Sequence, residues 1–389
     1  MLGVPVLMFA QNYDDHDRSG RHAATDFACN ILRSLPADAI LFTDGDNYTF
    51  PLWYAQEVLG VRRDVTVVSV AYMALPQYVA SLRIPGEESR PVAMTAEEAD
   101  LVYGRYAFSR FPSAECDTAG MESTEFMKRL YSSPSPVAIL PSSRVDIVVG
   151  KDTIDLNLRT VAAEGGSSMI GQRQLAMIDI VATNARQESP RPVCWISSLP
   201  PRSYSGFMPW TESYPFVRVL RNTAAAPPSV DKILSFMKWG GLNSERPPYI
   251  DPTVQGMVSG QRVALIREGR RLLEQGQSSQ ALRLAYCVAD SLPQISPFVG
   301  AAVEGKLARD GIEMSLLLIE AGEEEGDNAA VERGRVILSG ELERIEEWRR
   351  WRSRLNPRLR QAVSYSTLRL LSIDTDSLAR RGGLSKTER

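Results

Sequence analysis

"DAILFTDGDNYTFPLWYAQEVLGVRRDVTVVSV", residues 38–70, sets two apolar runs on either side of an amphipathic segment. The first run, 38–43, is followed at once by an acidic loop, "DGDNYTFP", residues 44–51. A short apolar run bounded by turn formers reads as a strand. Residues 52–60, "LWYAQEVLG", have helical spacing and end at Gly60, where a C-cap glycine belongs. "DVTVVSVAYM", residues 64–73, is rich in β-branched residues and reads as the next strand. Strand, helix and strand with short links call for a parallel pair joined by a right-handed crossover.

The pattern extends in both directions. Upstream, "VPVLMFA" (4–10) reads as a buried strand, and "RHAATDFACNILRSL" (21–35) as a helix closed by Pro36. Downstream, segments beginning at Thr95 and Ser123 read as helices, and 144–163 as paired strands. "GQRQLAMIDIVATNAR" (171–186) carries Leu175, Ile178, Val181 and Ala182 on one side of a helix, and "RPVCWISS" (191–198) reads as a buried strand. Residues 222–252 are rich in proline and turn formers, and strand signals stop beyond Pro252. There, helix, Gly276 turn and helix are followed by a second hairpin expected to turn at Gly311, 35 residues later. That period resembles a tetratricopeptide pair. The expected fold class is therefore α/β, a parallel or mixed sheet with Rossmann-like strand-helix alternation, followed by an all-α tetratricopeptide-like region. The expected boundaries are an α/β domain over 1–240, a linker over 241–252 and a helical domain over 253–389.

Bulk composition narrows the function classes. The chain has 389 residues, 44% hydrophobic and 23% charged, with a net charge of -3. A near-neutral balance leaves no nucleic-acid footprint. No stretch approaches the roughly 20 apolar residues that span a bilayer. "MLGVPVLMFA" is too short to span, and it lacks the basic segment and cleavage site of a signal peptide. Cys29, Cys116, Cys194 and Cys287 form no CxxC pair, so neither a disulfide framework nor a structural zinc site is indicated.

In an open parallel sheet, ligands sit beyond the carboxyl ends of the strands. Three polar loops are expected there: Asp14–Arg21, Asp44–Phe50 and Ser197–Tyr204. They supply the candidate ligand-binding residues Asp14, Asp15, His16, Asp17, Arg18, Arg21, Asp44, Asp46 and Asn47. Residues 15–26, "DHDRSGRHAATD", place Asp15, Asp17, Ser19, Gly20 and Asp26 at EF-hand spacing, with Asp in place of the last Glu. The competing and favoured reading is capping, in which these side chains satisfy the free amides of the helix that follows. The metal question stays open at this point. His16 and His22 lack zinc spacing, "EGGSS" (164–168) reads as a hairpin turn, and "EEWRRWRSR" (346–354) reads as a solvated face. Trp53, Tyr54, Trp195 and Trp210 have the rings to stack on sugars, although most buried tryptophans are core. No nucleophile elbow is present.

"NYDDHDRSGR", the stretch from Ile40 to Val70, and "KWGGLNSERPPYIDPTVQGMVSGQR" together resemble the soluble region of the domain-of-unknown-function 2723 family. Those are bacterial membrane proteins related to protein O-mannosyltransferases, and the resemblance runs from about Val4 through the helical repeats. Family members carry a further acid where this chain has Tyr48, which removes a carboxylate from the loop. The resemblance implies a catalytic carboxylate in a membrane half that these 389 residues do not contain. It therefore implies a periplasmic recognition portion that is inactive by itself. Its partners would be an acceptor protein or glycan, and a lipid-linked sugar donor reached through the membrane half. No cofactor is implied. The alternative is a free-standing enzyme that acts on a sugar or phosphate through the acidic loops, with or without a divalent cation.

Overall fold

The structure is a computed structural model that describes residues 3–16, 20–86, 88–97, 108–112, 120–132, 139–223, 226–242, 251–291, 301–354 and 374–384. The helix expected from Thr95 falls largely outside them, as do Asp17, Arg18 and Cys116. The chain divides into two compact units, residues 31–227 and residues 1–30 with 228–389.

The first element corrects the sequence reading. Gly3–His16 is a helix, α1, and not a strand. A seven-residue apolar run fits either structure by pattern alone, and Pro5 is tolerated because it sits in the first turn. Val4, Val6 and Leu7 are 67%, 64% and 56% exposed, unlike the buried strand that was expected. Asp14, Asp15 and His16 therefore end a helix instead of following a strand. Helix α2 spans Ala23–Ser34.

The unit of residues 31–227 is built on a five-stranded mixed sheet. Strand β1 (Ile40–Thr43) leads to helix α3 (Asp46–Glu57), strand β2 (Thr66–Ser69) and a short helix α4 (Pro76–Ser81). Strand β3 (Phe108–Ser109), strand β4 (Met121–Glu122) and helix α5 (Ser123–Tyr131) follow. Strands β5 (Arg144–Val149) and β6 (Asp152–Asn157) form the expected pair, which is antiparallel, whereas 158–163, also read as strand, is helical. Beyond them come helix α6 (Leu158–Glu164), strand β7 (Ile170–Gly171), helix α7 (Gln172–Ala185) and strand β8 (Val193–Ile196). "EGGSS" thus ends helix α6 instead of turning a hairpin. Strands β9 (Thr211–Ser213) and β10 (Val217–Leu220) complete the main sheet, in the order β2-β1-β8-β10-β9. β1 is parallel to both β2 and β8, whereas β10 runs antiparallel to β8 and to β9.

Consecutive arginines explain the "RRD" in the deciding stretch. Arg62 donates through Nη1 to the carbonyls of Leu32 (3.0 Å) and Leu35 (2.9 Å), and through Nη2 to that of Pro36 (2.7 Å), closing the end of α2. Arg63 donates to the carbonyls of Gln56 (3.0 Å) and Glu57 (3.1 Å), closing the end of α3. A cation at a helix C-terminus satisfies orphan carbonyls and opposes the dipole. Asp64 holds the Arg62 fork at 2.7 Å, and that hydrogen bond draws its carboxyl below its ordinary value.

The outer edge of β2 is closed by side chains. Gln56 Nε2 donates to Val65 O at 2.7 Å, Trp53 Nε1 to Val67 O at 3.5 Å, and the Ser69 amide donates to Tyr78 Oη at 2.8 Å. An edge covered in this way does not recruit another strand.

Among the described residues beyond 228, the other unit is built of helices. Helix α8 (Val230–Phe236) precedes α9 (Pro252–Glu274), α10 (Ser278–Ala289), α11 (Ala301–Glu325), α12 (Asn328–Arg354) and α13 (Thr375–Arg381). The expected turn at Gly276 is present, with φ of 72°. Gly311 is not a turn, because α11 runs through it unbroken. Its role is clearance, since a Cβ there would lie 2.8 Å from Glu341 Oε1. Glu341, only 8% exposed, belongs to a buried charged cluster with Arg262 and Asp310. Burial, foremost, pushes its carboxyl up to about 7. None of the described residues forms a helix long and apolar enough to cross a membrane.

"KWGG" (238–241) is a docking turn within this unit. Asn30 donates to Lys238 O at 2.8 Å and accepts from Lys238 N at 3.1 Å. Asp26 Oδ2 accepts from Gly240 N at 2.9 Å. Gly240 has φ of 62°, and a Cβ there would lie 2.3 Å from Ala23 Cα, so only glycine fits.

Candidate functional site: the carboxyl edge of the parallel strands

Helix α3 begins earlier than the sequence pattern suggests. Asp46 and Asn47 lie in its first turn rather than in a loop, and Pro51 sits inside it. Proline in mid-helix removes one amide donor, which is why the pattern resumes only at Leu52. What remains of the loop is Asp44 and Gly45. It is held tight: Thr43 and Thr49 hydroxyls meet at 2.7 Å, and Thr49 Oγ1 also donates to Gly45 O at 3.0 Å.

Three loops meet at this edge, those after β1, β2 and β8. Ser203, 1% exposed in the 3-10 turn Pro201–Tyr204, donates its hydroxyl to Asp44 Oδ2 at 2.5 Å. Tyr204 donates to Ile196 O at 3.1 Å, which folds that turn back onto β8. Ser198 Oγ donates to Tyr48 Oη at 3.2 Å. Tyr72, in the 3-10 turn Tyr72–Ala74 after β2, donates to Asp46 Oδ1 at 3.3 Å. Its phenol is raised above the ordinary value by burial first and by the Asp46 charge second.

Two of the three expected loops are thus brought together, Asp44–Phe50 and Ser197–Tyr204. For the third, Asp14–Arg21, the strand expected to lead into it is instead helix α1. Asp14, Asp15 and His16 end that helix, and their side chains lie outside the described residues, with Asp17 and Arg18. Arg21 belongs to the segment leading into α2. Of the EF-hand set, Asp26 is committed to the Gly240 amide. No group of three or more His, Cys, Asp or Glu side chains able to hold a metal occurs among the described residues.

The sequence reading missed Tyr72. The apolar pattern of "VTVVSVAYM" runs on without a break, although β2 ends at Ser69. Trp195 resolves as core: it is fully buried and stacks on Phe42, Tyr204 and Phe207 at 5.3, 5.7 and 5.8 Å. Phe50 and Tyr54, by contrast, are 49% and 48% exposed on α3 beside the edge. Carboxylate acceptors, hydroxyl donors and exposed rings together suit the binding of amides and hydroxyls.

No curated protein and no solved structure matches the chain. The family comparison overturns the expected kinship with the domain-of-unknown-function 2723 family, because the model that matches is a different one. The matched span takes in β1 through β8 and the turn carrying Ser203. Residues 24–212 match the family described as TMEM260-associated domain 2.

Proposed function

We propose that this chain is the recognition portion of a TMEM260-like membrane protein related to the O-mannosyltransferases. In this reading the edge formed by Asp44, Asp46, Tyr48, Tyr72, Ser198 and Ser203 binds the acceptor polypeptide. The single observation carrying the proposal is the coincidence of that hydroxyl-carboxylate edge with the TMEM260-associated match over 24–212. Ionised carboxylates accept strong hydrogen bonds from peptide amides and from serine or threonine hydroxyls. The exposed rings of Phe50 and Tyr54 supply apolar contact beside them.

The reading separates recognition from chemistry, so the isolated chain binds acceptor but does not transfer sugar. The test incubates purified chain with lipid-linked and nucleotide-linked sugar donors and a serine- and threonine-rich peptide. The expected result is no transfer above the protein-free blank. Turnover that survives repurification and is lost on Asp44→Asn would instead establish a free-standing enzyme.

A further inference from the structure

Beside the outer edge of β2 lies an open cavity of about 290 Å³, lined by Trp53, Gln56, Glu57, Arg63, Thr66 and Ser89 among other residues. We propose that it is a binding site for a single neutral hexopyranose unit of a glycan. The cavity adjoins the acceptor edge through the contact of Trp53 with Tyr72 but shares no lining residue with it, and the inference stands whether or not that edge binds polypeptide.

Size comes first. Small-molecule sites run from roughly 300 to 1,000 Å³, so this cavity suits one sugar ring and is too small for a whole nucleotide sugar. Charge comes next. Arg63 lines the cavity, but its Nε and Nη2 donate to the carbonyls of Gln56 and Glu57. Glu57 lines the same cavity, and its carboxylate opposes a phosphate or carboxylate ligand. A neutral polyhydroxylated ligand, by contrast, donates its hydroxyls to a carboxylate.

The indole supplies the remaining component. Trp53 stacks on Tyr72 at 6.1 Å, leans on Phe50 at 5.9 Å and points its N–H at Val67 O. Its ring is therefore held in place before any ligand arrives, which lowers the cost of binding. An aromatic ring flanked by hydrogen-bonding groups matches a sugar, which has C–H faces and a hydroxyl rim. A peptide strand is a poor occupant. The Val65 and Val67 carbonyls and the Ser69 amide, which such a strand would need, are already engaged by Gln56, Trp53 and Tyr78.

The experiment is saturation-transfer NMR on the full chain with methyl glycosides of glucose, galactose, mannose and N-acetylglucosamine. At least one glycoside should receive saturation and should shift the Trp53 indole N–H resonance. Trp53→Ala should weaken that glycoside about tenfold, equivalent to about 1.4 kcal/mol. Trp53→Phe, which keeps a ring, should restore most of the loss, and Asp44→Asn should leave binding unchanged. Failure of every glycoside to bind would overturn the cavity proposal without touching the acceptor edge. Binding that survives Trp53→Ala but is lost on Asp44→Asn would place the sugar at the acceptor edge, and would overturn it equally.

Discussion

The Ser203 hydroxyl meets the Asp44 carboxylate at 2.5 Å and ties the loop after β1 to the turn after β8. These residues lie far apart in sequence, beyond the ends of two strands that pair in parallel. The bond fixes the spacing of the edge proposed to bind acceptor. Ser203→Ala should therefore cost roughly 1.5–3 kcal/mol of stability, the range for hydrogen bonds to charged groups. Urea denaturation measures this directly, and an unchanged midpoint would show that the loops are held by other contacts.

Arg62 makes a second test of the deciding stretch. Its guanidinium serves three carbonyls at the end of α2 and both oxygens of Asp64. Arg62→Ala should destabilise the protein by about 3 kcal/mol, as loss of a half-buried, fully bonded charge does. Arg62→Lys should recover little, since an ammonium cannot fork. In either variant the Asp64 carboxyl should titrate closer to its ordinary value of 3.8, which NMR would read.

Glu341 makes stability depend on pH. Burial, with Asp310 on α11 adding to it, favours the protonated form, while Arg344 on its own helix and Arg262 on α9 oppose this. The folded value near 7 lies above the ordinary 4.5, so the folded state holds the proton more tightly than the unfolded chain. That stabilisation is complete below pH 4.5 and is lost as pH rises through 7. The loss is on the order of 3 kcal/mol. Glu341→Gln should flatten this part of the melting-temperature profile, and a profile identical to that of the parent chain would contradict the assignment.

Gly311 and Glu341 should behave as a coupled pair. An added methyl at Gly311 meets Glu341 Oε1 at 2.8 Å, and Cδ and Cγ at 2.9 Å. In an open helix, glycine to alanine gains about 1 kcal/mol. Gly311→Ala should destabilise the parent chain by about 1–3 kcal/mol, the cost of overpacking. In a Glu341→Ala background the same change should be neutral or stabilising. Additive effects in the double-mutant cycle would remove the clearance argument.

Much of the sheet was legible because β1, β2 and β8 are short apolar runs bounded by turn residues. The first helix was not, because a seven-residue apolar run has no decisive period and Pro5 is legal in a first turn. The start of α3 was hidden by Pro51, which reads as a breaker although the helix passes through it. Gly311 read as a turn for a similar reason, while its actual role is to make room for a carboxyl from another helix. Such packing between distant segments leaves no local signal. At the candidate site, Asp44, Asp46 and Asn47 were visible as loop acids and amides following a strand. Tyr72 was not, since its partner Asp46 is 26 residues away and reaches it only through the crossover.

The most direct test of the recognition role is the affinity of the chain for serine- and threonine-rich peptides, compared with that of Asp44→Asn. Binding isotherms on one peptide array give both values under the same conditions. The account predicts that wild-type chain binds and that Asp44→Asn, with its fold retained by circular dichroism, binds at least about tenfold more weakly. Equal affinity of the two proteins, or no binding by either, would contradict it.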